Sequence, residues 1–98
     1  MKGAHLFISG RVQAVGFRAF TRRKAQQLQL KGWVRNLSNG QVEIKAAGPP
    51  EKLSQLQNQL QQGPPLSRVD NITAQPLAEE QAKSLPAPFT VKPTGKPN

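Results

Sequence analysis

The stretch Gly10-Arg11-Val12-Gln13-Ala14-Val15-Gly16-Phe17-Arg18 is where this sequence is best equipped for chemistry. It follows an apolar run, Leu6-Phe7-Ile8, and leads into a helical pattern. A short loop with glycine at both ends and no carboxylate is thereby handed to a helix N-terminus. Helix starts leave backbone N–H groups without partners and carry partial positive charge, so they attract anions. A loop that curls can aim its own amides at the same point. Arg18 adds a planar guanidinium fork that suits a tetrahedral oxyanion. The stretch therefore reads as a phosphate cradle made by Gln13, Ala14, Val15, Gly16, Phe17 and Arg18. An ordinary strand-to-helix loop, whose glycines only make the turn, is the alternative from this stretch alone. The spacing is neither that of the nucleotide P-loop, which ends in Gly-Lys-Ser/Thr, nor the dinucleotide Gly-x-Gly-x-x-Gly.

A second candidate is Asn36, at the end of Gly32-Trp33-Val34-Arg35-Asn36. Strand alternation puts Val34 and Asn36 on one face and Trp33 and Arg35 on the other. If Val34 faces the helices, Asn36 sits at the rim of that face beside the first helix. Its amide can both donate to and accept from a water next to a bound anion. From this stretch alone, an asparagine that merely starts the next turn is the preferred reading.

The elements that must position these groups follow from periodicity. Residues 4 to 9 read as strand one. Residues 17 to 28 read as helix one, with Phe17, Phe20, Ala25 and Leu28 on one face. Lys24 falls within that face and has to snorkel, while Arg22 and Arg23 read as a solvated basic face. Strand two is Trp33 to Leu37, followed by Ser38-Asn39-Gly40, a hairpin signal because both Asn39 and Gly40 tolerate positive φ. Strand three carries Val42, Ile44 and Ala46 alternating with Gln41, Glu43 and Lys45, so one face is buried and one wet. Helix two runs from Pro50 to Gln62, with Leu53, Leu56 and Leu60 as its buried stripe and proline at its entry. Strand four spans Arg68 to Gln75. Residues 76–88 read as an irregular connection, Phe89 to Lys92 as a short fifth edge strand bracketed by prolines, and residues 95–98 as a frayed tail.

The order βαββαβ predicts an α+β, ferredoxin-like sandwich: an antiparallel sheet with both helices on one face. A single domain over residues 1–98 is expected from the length. Strands one and two, joined by a right-handed helical crossover, should run parallel. Their C-terminal ends then share one edge of the sheet, and Asn36 meets the cradle.

Composition limits the chemistry. Fourteen Lys and Arg against five Asp and Glu give a net charge of +9, which raises the local concentration of any anion without choosing among them. The acids Glu43, Glu51, Asp70, Glu79 and Glu80 are scattered, so a paired-carboxylate hydrolase or a carboxylate-held magnesium site is hard to build. There is no cysteine and one histidine, His5, which excludes thiol chemistry and clustered-histidine zinc sites. His5 itself is assigned no role. The apolar start is cut off by Gly10-Arg11 well below signal-peptide length, and no apolar run approaches membrane-spanning length. The expected compartment is the cytoplasm, without membrane association.

Taken together, the two stretches resemble the acylphosphatase family. Gly10-Arg11-Val12-Gln13-x-Val15-Gly16-Phe17-Arg18 is similar to its first signature, and Gly32-Trp33-Val34-x-Asn36-x-x-x-Gly40-x-Val42 to its second. The second helix ending in Gly63-Pro64-Pro65, followed by Val69 and then by Phe89-Thr90-Val91, also fits, so the likeness covers about residues 4 to 93. It implies hydrolysis of a small-molecule acyl phosphate to a carboxylate and inorganic phosphate, which as product should also inhibit. It implies that the loop amides and Arg18 hold the phosphoryl group while Asn36 orients the attacking water. No metal, nucleotide cofactor or covalent intermediate is implied, and a monomer is expected. The family usually has glycine where this chain has Ala14. Positive φ there would cost alanine roughly 1 kcal/mol or more. A relaxed loop is the expectation, with Gly16 taking the tightest bend.

Two rivals stand beside this reading. One is a basic ferredoxin-like nucleic-acid-binding module. Strand three has no aromatic and strand two only Trp33, so specific nucleic-acid binding is not expected. The other is a non-catalytic or carbamoyl-phosphate-handling domain like the acylphosphatase-like segment of larger maturation proteins. A chain ending at residue 98 is expected to be the free-standing enzyme.

Overall fold

The computed structural model describes residues 2–97. Along the chain lie β1 (Lys2–Arg11), α1 (Phe17–Gln27), β2 (Lys31–Asn36), β3 (Val42–Gly48), α2 (Pro50–Gln62), β4 (Arg68–Pro76), α3 (Glu79–Lys83) and β5 (Thr90–Val91). They form one five-stranded sheet in the order β4-β1-β3-β2-β5. β3 is antiparallel to both β1 and β2, with Ile44 opposite Leu6 on one side and Val34 on the other. β1 and β2 therefore run parallel to each other, and their C-terminal ends share an edge. The fold is ferredoxin-like, with α1 and α2 on one face.

That face holds the main core. Leu6, Ile8, Val34, Val42 and Ile44 meet Phe17 and Ala25 of α1 and Leu56 and Leu60 of α2. Burying a side chain the size of Phe17 contributes about 1.5–3 kcal/mol. The buried stripe of α1 is Phe17, Thr21 and Ala25, with Phe20 and Leu28 half-buried beside it. Thr21 was not expected inside. Its hydroxyl is satisfied by donating to the Phe17 carbonyl at 2.8 Å. Lys24 snorkels as expected, its Nζ 5.6 Å from the centre of the Phe20 ring.

Several expectations need correction. The sheet is mixed, because β5 pairs in parallel with β2, Trp33 opposite Thr90 and Val34 opposite Val91. The cause lies in the segment that precedes it. Leu77 N–H donates to Gly3 O, Gly32 N–H to Pro86 O and Lys31 Nζ to Lys83 O. The chain thus crosses the second face at the end where β1 and β2 begin, and enters β5 beside the start of β2. Residues 76–88 are accordingly not irregular throughout: Pro76 ends β4, and α3 occupies Glu79–Lys83. Two acids in its first turn and Lys83 in its last suit the helix dipole.

The second face is correspondingly less wet than alternation suggests. Ala82 and Leu85 pack on Trp33 and Ala47 as a separate small core. Glu43 is only 6 % exposed.

The other end of the sheet is closed by the hairpin and the tail. At the hairpin only Gly40 has positive φ (94°), and its N–H donates to Leu37 O. Asn39 works through its side chain, Oδ1 accepting from Gln41 N–H at 3.0 Å. The tail is not frayed at Gly95. Gly95 N–H donates to Asn36 O at 3.0 Å, and Gly95 O accepts from Ser38 N–H at 2.9 Å. Asn98 lies outside the described residues. No helix among those described is long and apolar enough to cross a membrane.

Candidate active site

The cradle begins with a break in strand pairing. Between Ser9 and Gly10 the β1–β4 register shifts, and Gly10 takes φ 129°. A Cβ at Gly10 would collide with the Arg68 carbonyl, so glycine is required for the close approach. Val12 is buried in the main core and anchors the loop that follows.

Within the loop, Ala14 and Gly16 both adopt left-handed backbone, with φ of 61° and 79°. Alternating handedness over neighbouring residues turns successive N–H groups toward one side. The expectation of a relaxed Ala14 is overturned, because its φ of 61° lies in the left-handed region that disfavours a Cβ. The strain costs roughly 1–2 kcal/mol.

Gly16 is also the N-cap of α1, with no side-chain cap and no acid in the first turn. A Ser, Thr, Asp or Asn here would spend its oxygen on the free amides. Instead they stay open to a ligand. The first backbone donor after the loop to find a backbone acceptor is Phe20, whose N–H reaches Gly16 O at 3.0 Å.

The loop and α1 open on a surface cleft of about 360 Å³. It brings Ala14, Gly16, Phe17 and Arg18 together with Asn36, while Val12, Ala19 and Val91 supply apolar wall and Arg22 adds a second guanidinium. No Asp, Glu, His or Cys lines it. Arg18 is half-buried and takes no part in the ion pairs among the described residues. Asn36 is on the helix side of β2, and its Oδ1 is buried without a hydrogen-bond partner. An unmet buried acceptor costs about 1–3 kcal/mol.

Two candidate residues stand apart. The side chains of Gln13 and Val15 do not line the cleft. Gln13 Nε2 donates to the carbonyls of Leu37 at 2.8 Å and Gln41 at 2.9 Å, which ties the loop to the β2–β3 hairpin. Arg22, read from sequence as part of a solvated face, does line the cleft. The signal for it was its spacing, four residues after Arg18, which puts both on one side of a helix.

A model of the acylphosphatase family matches residues 4–89. The chain belongs to the acylphosphatase family. It is 46% identical over 84 residues to an acylphosphatase from Halorhodospira halophila, covering 86% of this chain and 87% of that one. It superposes on the crystal structure of acylphosphatase from Bacillus subtilis with a TM-score of 0.84 and 34% identity, covering 94% of this chain and 99% of that one. It is also similar to a segment of T. kodakarensis HypF, with a TM-score of 0.82 and 33% identity over 99% of this chain and 12% of that one.

Away from the cleft, this acylphosphatase carries a polar cluster on the opposite face of its sheet. Arg35 Nε donates to Glu43 Oε1 at 2.7 Å, and His5 Nε2 lies 2.6 Å from Oε2. A carboxylate has no proton to give, so His5 Nε2 carries the hydrogen. Burial pushes the Glu43 carboxyl upward, but hydrogen bonds and charge from His5 and Arg35 outweigh it, and the net direction is down. His5 is thus a hydrogen-bond partner of Glu43 within the sheet, not a group of the cleft.

Proposed function

We propose that the cleft hydrolyses acyl phosphates to a carboxylate and inorganic phosphate, with the loop amides and Arg18 on the phosphoryl group and Asn36 on the attacking water. The observation that carries this assignment is the buried, unpartnered Asn36 Oδ1 in the same cleft as Arg18 and the free end of α1. A water that donates to Oδ1 has its lone pair free for phosphorus. Attack forms the new P–O bond as the bond from phosphorus to the acyl oxygen breaks, and the carboxylate departs with that electron pair. The water's proton passes to a phosphoryl oxygen, since no carboxylate or imidazole lines the cleft.

The residues suffice because the reaction asks little of them. A carboxylate is a good leaving group and needs no strong general acid. The transition state is loose, with charge spread over three equatorial oxygens, so positioning and fixed dipoles supply most of the catalysis. Inorganic phosphate, held by the same amides and Arg18, competes with substrate. Every residue invoked comes from one chain, so a monomer is sufficient.

Two substitutions test the roles separately with benzoyl phosphate as substrate. Arg18→Lys keeps the charge but loses the fork, and should abolish most turnover at an unchanged Tm. Asn36→Ala should lower kcat by roughly 10²–10³ with little change in the Ki of inorganic phosphate. Full turnover by Arg18→Lys removes that residue from the phosphoryl group. Loss of phosphate affinity at intact kcat in Asn36→Ala moves Asn36 from the water to the anion.

A further inference from the structure

We propose that Arg22 makes this acylphosphatase prefer acyl phosphates whose acyl group carries a second anionic group. The inference rests on the acyl phosphate reading of the cleft and adds to it the class of acyl group.

Three consecutive cations of α1 have different surroundings. The Arg23 guanidinium carbon lies 5.8 Å, and Lys24 Nζ 5.6 Å, from the centre of the Phe20 ring. Arg22 alone of the three lines the cleft. It follows Arg18 by four residues, so the two share one side of the helix, with a rise of about 6 Å between them. The next residue on that stripe is Gln26, whose Nε2 donates to Phe89 O at 2.9 Å. This bond holds the Arg18–Arg22–Gln26 side of α1 against the chain entering β5, where Val91 forms part of the cleft wall. The cleft thus extends from the amides at the start of α1 toward Arg22.

Charge and volume favour a second anion there. None of the ion pairs among the described residues uses Arg18 or Arg22, and no acid lines the cleft. The two guanidiniums repel across one turn, and an anion between or beside them relieves that repulsion. A cleft of about 360 Å³ matches roughly a dozen waters at about 30 Å³ each, more space than a phosphoryl group needs. With Arg18 on the phosphoryl group, Arg22 is one helical turn away. A carboxylate or phosphate at the far end of a short acyl chain spans that separation. Succinyl phosphate is the simplest carboxylate example.

The test compares kcat/KM for succinyl phosphate and butyryl phosphate, which share chain length and differ in the terminal charge. The native chain should favour succinyl phosphate about fivefold, the scale of an exposed ion pair. Arg22→Gln should bring the ratio to about one, and Arg22→Glu should invert it. Added salt should shrink the native ratio, because the pair is exposed to screening. An acyl phosphate bearing a phosphate ester, run in parallel, identifies the anion: the substrate with the larger loss on Arg22→Gln is the one Arg22 serves better. A succinyl-to-butyryl ratio unchanged by Arg22→Gln overturns the inference while the acyl phosphate reading stands. An equal loss on both substrates does the same, since Arg22 would then act on the shared phosphoryl group or on the fold. Failure of the native chain to turn over either substrate overturns the acyl phosphate reading and this inference with it.

Discussion

Gln13 reaches out of the loop between β1 and α1 to donate a hydrogen bond of 2.8 Å to the carbonyl of Leu37, the residue directly after Asn36. The same nitrogen donates to Gln41 O across the hairpin. The loop proposed to hold the anion and the strand that ends in Asn36 are therefore joined by one carboxamide. Catalysis by positioning depends on the distance between the two, and misplacement by about 1 Å can cost 10²-fold.

Gln13→Ala should lower kcat for benzoyl phosphate by about tenfold, within that range. Gln13→Glu should fall further, because a carboxylate cannot donate and would face two carbonyl oxygens. Steady-state kinetics on the two variants, with Tm measured alongside, check the order. A Gln13→Glu enzyme as active as the native chain would dissolve the link.

Ala14→Gly should raise Tm and leave kcat equal or higher. The backbone at φ 61° strains alanine by about 1–2 kcal/mol, whereas glycine adopts it freely. Against this stands the greater entropy that glycine loses on folding, about 0.5–1 kcal/mol. The difference is a net gain of about 0–1.5 kcal/mol. A fall in Tm on this substitution would contradict the strain.

Glu43 predicts a dependence on acid. Its carboxyl is held below its ordinary value of 4.5 in the folded chain, so its contribution is complete above that value. It is lost as pH falls through the lower, folded value. Glu43→Gln should cost about 2 kcal/mol at neutral pH, through weakened charge-assisted hydrogen bonds. It should also flatten the decline of Tm below pH 4.5. Parallel curves of Tm against pH for native and Glu43→Gln chains would show that the acid limb has another origin.

Much of this architecture is written in local pattern. The alternation of Val42, Ile44 and Ala46 marks the strand that β1 and β2 both pair with, and the same alternation from Val34 places Asn36 on the helix side. Pro50 and Gly63 bound α2 because each restricts or frees the backbone where a helix must start or stop. What is not legible is whatever depends on a partner distant in sequence. Glu43 looks like a wet-face residue until His5 and Arg35 close on it, and Trp33 looks exposed until Leu85 covers it. A five-residue helix such as α3 is too short to show a period. The φ of Ala14 is set by the path of the loop between β1 and α1, which the type of a single side chain does not record. Arg22 was misjudged for a related reason: only the placement of β5 opposite α1 turns that stripe into a wall of the cleft.

Gly95 lies beyond the residues that define the family match, yet its amide hydrogen rests on the carbonyl of Asn36 and its carbonyl on the amide of Ser38. The tail and the asparagine are thus two ends of one short mechanical coupling. Exchange of the Gly95 and Ser38 amide hydrogens with solvent is consequently a built-in gauge of order at the edge of the sheet that carries Asn36, readable without a label in the cleft.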